Sequence, residues 1–204
     1  MFLIVANFSV GFIFSFIGTI PPGSLNMIIL QLGFQEKINI AWRFALAACL
    51  VEYPYAWLAV KFEALITSSP LIVKNAELIA AIVMTCLGAF NLISAKKPSK
   101  FSEKFNQSGF RRGIVLSILN PLILPFWVGT TAFLKGMKWI DLSSNARLHA
   151  YLIGISLGTL TLCVLFTNLA KKIVSEFHHQ ATFQKIPGIV LLVLGLYAFI
   201  RYLF

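Results

Sequence analysis

The chain has 204 residues, of which 58% are apolar and 12% are charged, whereas a soluble domain is typically about 45–50% apolar and about 25% charged. This composition excludes a disordered chain, a nucleic-acid-binding tail and a disulfide scaffold, and it leaves too little polar surface to cover a soluble core. The formal net charge is nevertheless +10. A chain that is both this apolar and this basic indicates an integral membrane protein with cationic loops.

Six apolar stretches are long enough to form transmembrane helices, because roughly 20 apolar residues cross the hydrocarbon core. They are residues 1–35, 44–60, 78–95, 113–134, 150–170 and 186–204. We therefore predict an all-α membrane protein with six transmembrane helices. No cationic region precedes the first stretch and no small-residue cleavage site follows it, so we expect this span to stay in the mature protein.

Lys and Arg are distributed unequally between the two sides of the predicted bundle. Eleven lie in the loops after spans 1, 3 and 5, and six lie on the other side. The positive-inside rule places the first group in the cytoplasm and both termini outside. The basic loop 96–112 separates two halves, 1–95 and 113–204. Because each half has three spans, the halves have opposite orientations, which predicts a 3+3 inverted repeat of the kind that many secondary transporters contain.

Proline and glycine interrupt the first span of each half. Pro21-Pro22-Gly23 lies within span 1, and Asn120-Pro121 lies within span 4. Non-helical backbone is tolerated in hydrocarbon only where protein or a water-filled cavity satisfies it. Paired breaks at matching positions therefore predict a binding site, to which Asn26 and Asn120 can offer amide groups. A simple kink without a site is the alternative at either break.

Glu52 has eight uncharged residues on either side within span 2. A charge at the bilayer centre costs about 2.5–3.5 kcal/mol even on insertion scales. We therefore predict that Glu52 is functional, either as a proton carrier that is neutral in one state and ionised in another, or as a partner for a substrate ammonium group. By contrast, Glu63 is predicted to be solvated beyond the end of span 2, and Trp127 is assigned to packing.

The remaining polar residues do not suggest an enzyme. Cys49, Cys86 and Cys163 lie in apolar runs without a CxxC motif, so no disulfide framework is indicated. The sequence contains no Ser-His-Asp set, phosphate-binding loop or nucleotide fingerprint. His178-His179 has no neighbouring cysteine or carboxylate cluster. We therefore expect no catalysis, no cofactor, no metal site and no nucleic-acid partner.

The ordered motifs resemble those of the LysE-type amino-acid translocator family, which includes lysine exporters and homoserine–threonine efflux proteins. The matching parts are residues 20–26 (IPPGSLN), Glu52, the basic loop after span 3, and residues 113–121 (GIVLSILNP). The first motif departs from the usual Pro-Gly-Pro order. The resemblance implies an exporter of amino acids or related small metabolites in the bacterial inner membrane, driven by proton exchange. Carried over by position, it implies substrate binding by Pro21, Pro22, Gly23, Asn26, Glu52, Asn120 and Pro121, with Glu52 coupling the proton.

Three alternatives stay open beside this interpretation. An exporter of a metal cation would need several carboxylates, thiols or imidazoles at one depth; an exporter of another solute would not. A membrane thiol–disulfide relay would need a cysteine in each broken helix, and spans 1 and 4 contain none. A non-transporting scaffold subunit would not need Glu52. The lipid bilayer and a small-molecule substrate are the expected partners, and homo-oligomerisation is left open.

Overall fold

The computed structural model describes residues 1–20, 24–68, 108–120 and 123–176, and isolated residues between 78 and 92 and between 189 and 200. The described chain is helical and contains no strand, which confirms the predicted all-α class. Its helices are α1 (Phe2–Thr19), α2 (Ser24–Phe34), α3 (Ile38–Ser68), α4 (Gly109–Ile118), α5 (Ile123–Gly136) and α6 (Asn145–Glu176).

Three of these helices, α1, α3 and α6, are long and apolar enough to cross a membrane. The pair α4 and α5 adds a fourth candidate span that is bent by 64° at its break. The chain is therefore a multi-pass membrane protein with three to four candidate spans in the described ranges. The predicted third and sixth spans and the division at 96–112 lie largely outside those ranges, although Gly195 is in close contact with Thr85.

Helix α3 is much longer than the predicted second span of residues 44–60. It has 31 residues and continues through Pro54, which gives a length of about 46 Å at 1.5 Å per residue. The charged residues Arg43, Lys61 and Glu63 lower the hydropathy at both ends, so hydropathy alone ended the span too early. The two acids of α3, Glu52 and Glu63, therefore both lie within one continuous helix.

Helices α1 and α6 pack closely because glycines remove the side chains between them. A Cβ at Gly154 would lie 2.2 Å from the carbonyl oxygen of Phe8, and one at Gly158 would lie 2.5 Å from that of Phe12. Such small-residue contacts let helix backbones approach each other in a membrane. The higher-numbered glycine of α6 meets the higher-numbered residue of α1, so α1 and α6 run parallel.

We expect Gly154→Ala to destabilise the protein, because the added methyl group would overlap a backbone oxygen that cannot rotate away. Overpacking of this kind costs typically about 1–3 kcal/mol. The matched control is Gly129→Ala on α5, where a Cβ meets nothing within 4 Å and alanine favours the helix. Thermal unfolding in detergent should show a lower midpoint for Gly154→Ala only. Equal midpoints would contradict this packing.

The two broken segments run in opposite directions. Gly33 of α2 lies against Thr167 and Ala170, so α2 continues along α6 beyond the end of α1. Gly109 of α4 lies against Ile40, and Gly113 against Phe44, so α4 runs parallel to α3. Residues 56–60 of α3 pack with residues 148–155 of α6, and residues 41–45 pack with Cys163, so α3 is antiparallel to α6. The segment α1–α2, which lies along α6, therefore runs antiparallel to α4, which lies along α3.

Polar contacts fasten the loops at each end of the bundle. Asn7 donates from Nδ2 to the carbonyl oxygen of Asp141 at 2.7 Å. Hydrogen bonds from Ser143 and the charge of Arg147 hold the pKa of Asp141 below its ordinary value. At the opposite end, the exposed ion pair Glu36–Lys171 joins the loop after α2 to the end of α6.

Candidate functional site

Glu52 lies inside the bundle, as its central position in span 2 predicts. Its residue surface is 9% exposed, and its Oε1 accepts a hydrogen bond from the Nε1 of Trp127 at 2.5 Å. The carboxyl therefore lies between α3 and α5, and its described hydrogen-bond donor is a neutral indole. Trp127 is buried in the core as predicted, but its contact with Glu52 gives it a second role.

A stripe of small residues lets α3 approach its neighbours and brings Glu52 inside. The stripe repeats at three and four residues along one helix face, which is the spacing of a packed seam. All of its members are buried: Ala41, Ala45, Ala48, Glu52, Ala56, Ala59 and Glu63. Both acids of α3 thus occupy positions that the repeat otherwise fills with alanine.

The prediction that Glu63 is solvated is wrong. Its residue surface is 2% exposed, and its Oε2 lies 2.6 Å from the Nζ of Lys135 on α5. The Lys135 side chain is 37% exposed, so the pair connects the protein interior to the surface. Hydropathy missed this site because α3 continues to Ser68, two turns beyond the predicted span end. Its position on the alanine stripe is the sequence signal that could have found it.

The first predicted break lies between α1 and α2. Helix α1 ends at Thr19, and α2 begins at Ser24. The buried Asn26 side chain donates from Nδ2 to the carbonyl oxygen of Thr19 at 2.5 Å, so one amide satisfies a carbonyl that the helix end leaves without its usual partner. Pro21, Pro22 and Gly23 fall outside the described residues.

The second predicted break lies between α4 and α5. The Oη of Tyr55 donates to the carbonyl oxygen of Ile118, the last residue of α4, at 2.7 Å. Asn120 follows this helix end, is half-buried, and donates its backbone N–H to the Ser117 carbonyl at 3.2 Å. Tyr55 is one turn beyond Glu52 on α3, so this break lies near the depth of Glu52. Pro121 falls outside the described residues.

A contact between α1 and α6 places the first break relative to Glu52. The Oγ of Ser15 lies 2.8 Å from the Oγ1 of Thr159 on α6. Thr19, the last residue of α1, is one turn beyond Ser15, and Cys163, which packs with residues 41–45 of α3, is one turn beyond Thr159. The first break therefore lies roughly two helical turns from the depth of Glu52. The structure thus brings Glu52 and Asn120 to a similar depth in the bundle, and a separate contact is described for Asn26 at the other break.

Two buried hydroxyls add polar surface near this depth. The Oγ atoms of Ser117 and Ser156 find no hydrogen-bond partner among the described residues. Ser117 lies one turn beyond Gly113 on α4, whose Cβ position contacts α3. Sequence reasoning singled out neither serine, because a lone hydroxyl in an apolar helix carries no pattern. No group of three His, Cys, Asp or Glu side chains that could hold a metal ion occurs in the described ranges.

No curated protein and no solved structure matches the chain. A family model described as LysE type translocator matches residues 16–201. That match covers most of the chain, including both breaks, Glu52 and Glu63. The chain therefore belongs to the LysE type translocator family.

Proposed function

We propose that this translocator exports an amino acid or a similar small zwitterion across the bacterial inner membrane in exchange for protons, with Glu52 as the coupling residue. The observation that carries the proposal is the environment of Glu52. Its carboxyl is buried in the middle of α3, and the hydrogen bond described for it comes from the neutral indole of Trp127. It also lies near the depth of the break between α4 and α5.

This environment makes proton and substrate compete for Glu52. An ionised carboxylate in an apolar interior is costly when a single neutral N–H compensates it. A proton on the carboxyl removes the charge, whereas the ammonium group of a zwitterion would balance it. Only one of the two can occupy Glu52 at a time, and that mutual exclusion is the requirement for antiport.

The helix breaks supply groups for the rest of the substrate. The N-termini of α2 and α5 lie at the two breaks, and a helix N-terminus favours a carboxylate through its free N–H groups and its dipole. Asn26 and Asn120 stand beside these ends. We propose that they and the break residues Pro21, Pro22, Gly23 and Pro121 shape the site, with Glu52 facing the substrate ammonium group.

A tolerance panel tests this function before any purification. A strain expressing the protein and a strain carrying an empty vector are grown on a series of toxic amino-acid analogues and, separately, on metal salts. Export predicts that expression raises tolerance to one chemical class of analogue. Tolerance to metal salts alone would favour a metal exporter, and no change on either series would favour a non-transporting scaffold.

Variants of the prolines at the two breaks sharpen that panel. Pro22→Ala and Pro121→Ala should reduce the tolerance that expression confers, because both alter a break at which the site is proposed to form. The control is Pro54→Ala, which changes a proline inside the continuous helix α3. Full tolerance in both break variants, with normal amounts of protein in the membrane, would contradict the proposed site.

A further inference from the structure

One face of α5 carries three polar side chains on successive turns, and each contacts a neighbouring helix. Trp127 donates to Glu52 on α3 at 2.5 Å. The Oγ1 of Thr131 lies 3.2 Å from the Oη of Tyr151 on α6. Lys135 donates to Glu63 on α3 at 2.6 Å. Since residues four apart share a helix face, α5 is fastened to α3 at two points and to α6 between them.

The two contacts on α3 are far apart, and the stripe positions between them carry short side chains. Glu52 and Glu63 are separated by eleven residues, which is three helical turns and about 16 Å along the axis. The positions of the stripe between them are Ala56 and Ala59, both buried. Because alanine side chains are short, these two positions add little to the ridges that fix the axial position of α5 on α3.

The Glu63–Lys135 pair is the stronger of the two contacts. It joins two opposite charges at 2.6 Å, and Glu63 is almost completely buried, so solvent screens the pair less than an exposed one. A charged contact that sets the axial position of α5 also sets the height at which Trp127 meets Glu52.

We propose that Glu63 and Lys135 are positioning residues for proton coupling: their ion pair fixes the register of α5 on α3 and thereby holds the Trp127 indole against Glu52. This inference rests on the proposed coupling role of Glu52. Neither residue needs to touch the substrate. Loss of the pair lets α5 shift along α3. The shift weakens the hydrogen bond from Trp127 that stabilises the charged state of Glu52, so proton coupling falls while substrate exchange continues.

A double-mutant cycle tests the register directly. The variants are Glu63→Gln, Trp127→Phe and their combination, reconstituted into proteoliposomes that are acidic inside and supplied with a radiolabelled mixture of the twenty amino acids. Glu63→Gln is expected to lower pH-gradient-driven uptake about tenfold in the parent protein and less than about twofold in Trp127→Phe, since coupled sites are non-additive. Counterflow without a pH gradient should change less than about twofold in Glu63→Gln.

Matched variants separate positioning from a change of charge. Glu36→Gln removes the same charge from the exposed pair with Lys171 and should leave uptake unchanged. The exchanged pair Glu63→Lys with Lys135→Glu should restore part of the uptake. If Glu63→Gln does not fold, Glu63→Asp takes its place in the cycle, because it keeps the charge and shortens its reach. Equal fold losses from the Glu63 variant in both backgrounds would overturn the proposal.

Thermal unfolding of the same four purified proteins gives a readout that does not depend on transport. Sites more than about 10 Å apart that share no partner change stability additively. Non-additive shifts in the unfolding midpoint for Glu63→Gln and Trp127→Phe would support the register, and additive shifts would overturn it. If the parent protein shows no uptake, the proposed function fails, and this second cycle still decides whether the pair positions Trp127.

Discussion

Glu52→Gln should abolish pH-gradient-driven transport while the protein stays folded. Glutamine keeps the size of the side chain and an oxygen that can accept the Trp127 N–H, but it can neither carry nor release a proton. Uptake by inside-acid proteoliposomes should therefore fall to the level of empty vesicles. Any exchange that remains should lose its dependence on pH, because the coupling group no longer titrates.

Two companion variants make this result specific to Glu52. Glu52→Asp retains a titratable carboxyl and should retain a reduced, pH-dependent uptake. Glu36→Gln neutralises the exposed acid paired with Lys171 and should behave as the parent protein. An unfolded Glu52→Gln protein would be recognised by its unfolding profile in detergent. Normal pH-dependent uptake by a folded Glu52→Gln protein would contradict the proposed mechanism.

Lys135→Met should cause the largest loss of stability among the surface-accessible positions. It removes the cation from Glu63, whose residue surface is 2% exposed, and leaves a buried carboxyl without its charge partner. Breaking a buried pair in this way costs about 3–5 kcal/mol. Denaturant or thermal unfolding in detergent measures the change. Adding Glu63→Gln should recover much of the loss, because the double variant no longer buries an uncompensated charge.

The control for Lys135→Met is Lys171→Met. Lys171 pairs with Glu36 at the opposite end of the bundle, and both side chains are well exposed. The paired lysine lowers the pKa of Glu36, so any stability from the pair is present at neutral pH and is lost as the pH falls through that lowered pKa. Because solvent screens exposed pairs, Lys171→Met should change stability little. Equal losses in the two variants would contradict the burial of Glu63.

Composition and the breaking residues were enough to predict the helical membrane fold and the ends of four helices. The described helices end at Thr19 and Ile118 and begin again at Ser24 and Ile123, on either side of the two predicted breaks. These signals are local, because proline and glycine act on the backbone of their own turn. The burial of Glu52 was predictable for a similar reason, since apolar residues surround it in sequence.

The partners of these residues were not predictable from one sequence. Trp127 and Lys135 are 75 and 72 residues from Glu52 and Glu63, and nothing local indicates which helices will meet. Glu63 was placed in solvent because charge at a span end is usually solvated. The alanine stripe on α3 indicated that Glu63 is buried. A repeat of small residues shows only that a helix face is packed, however, and it does not identify the helix that covers that face.

Proton movement during substrate efflux tests the central claim most directly. Proteoliposomes are loaded with the amino acid that the tolerance panel selects and with a trapped pH-sensitive dye, and are then diluted into buffer without amino acid. Antiport through Glu52 predicts that the lumen acidifies as the amino acid leaves, and that Glu52→Gln vesicles show no such acidification. Efflux of the amino acid from parent vesicles at constant lumenal pH would contradict the account.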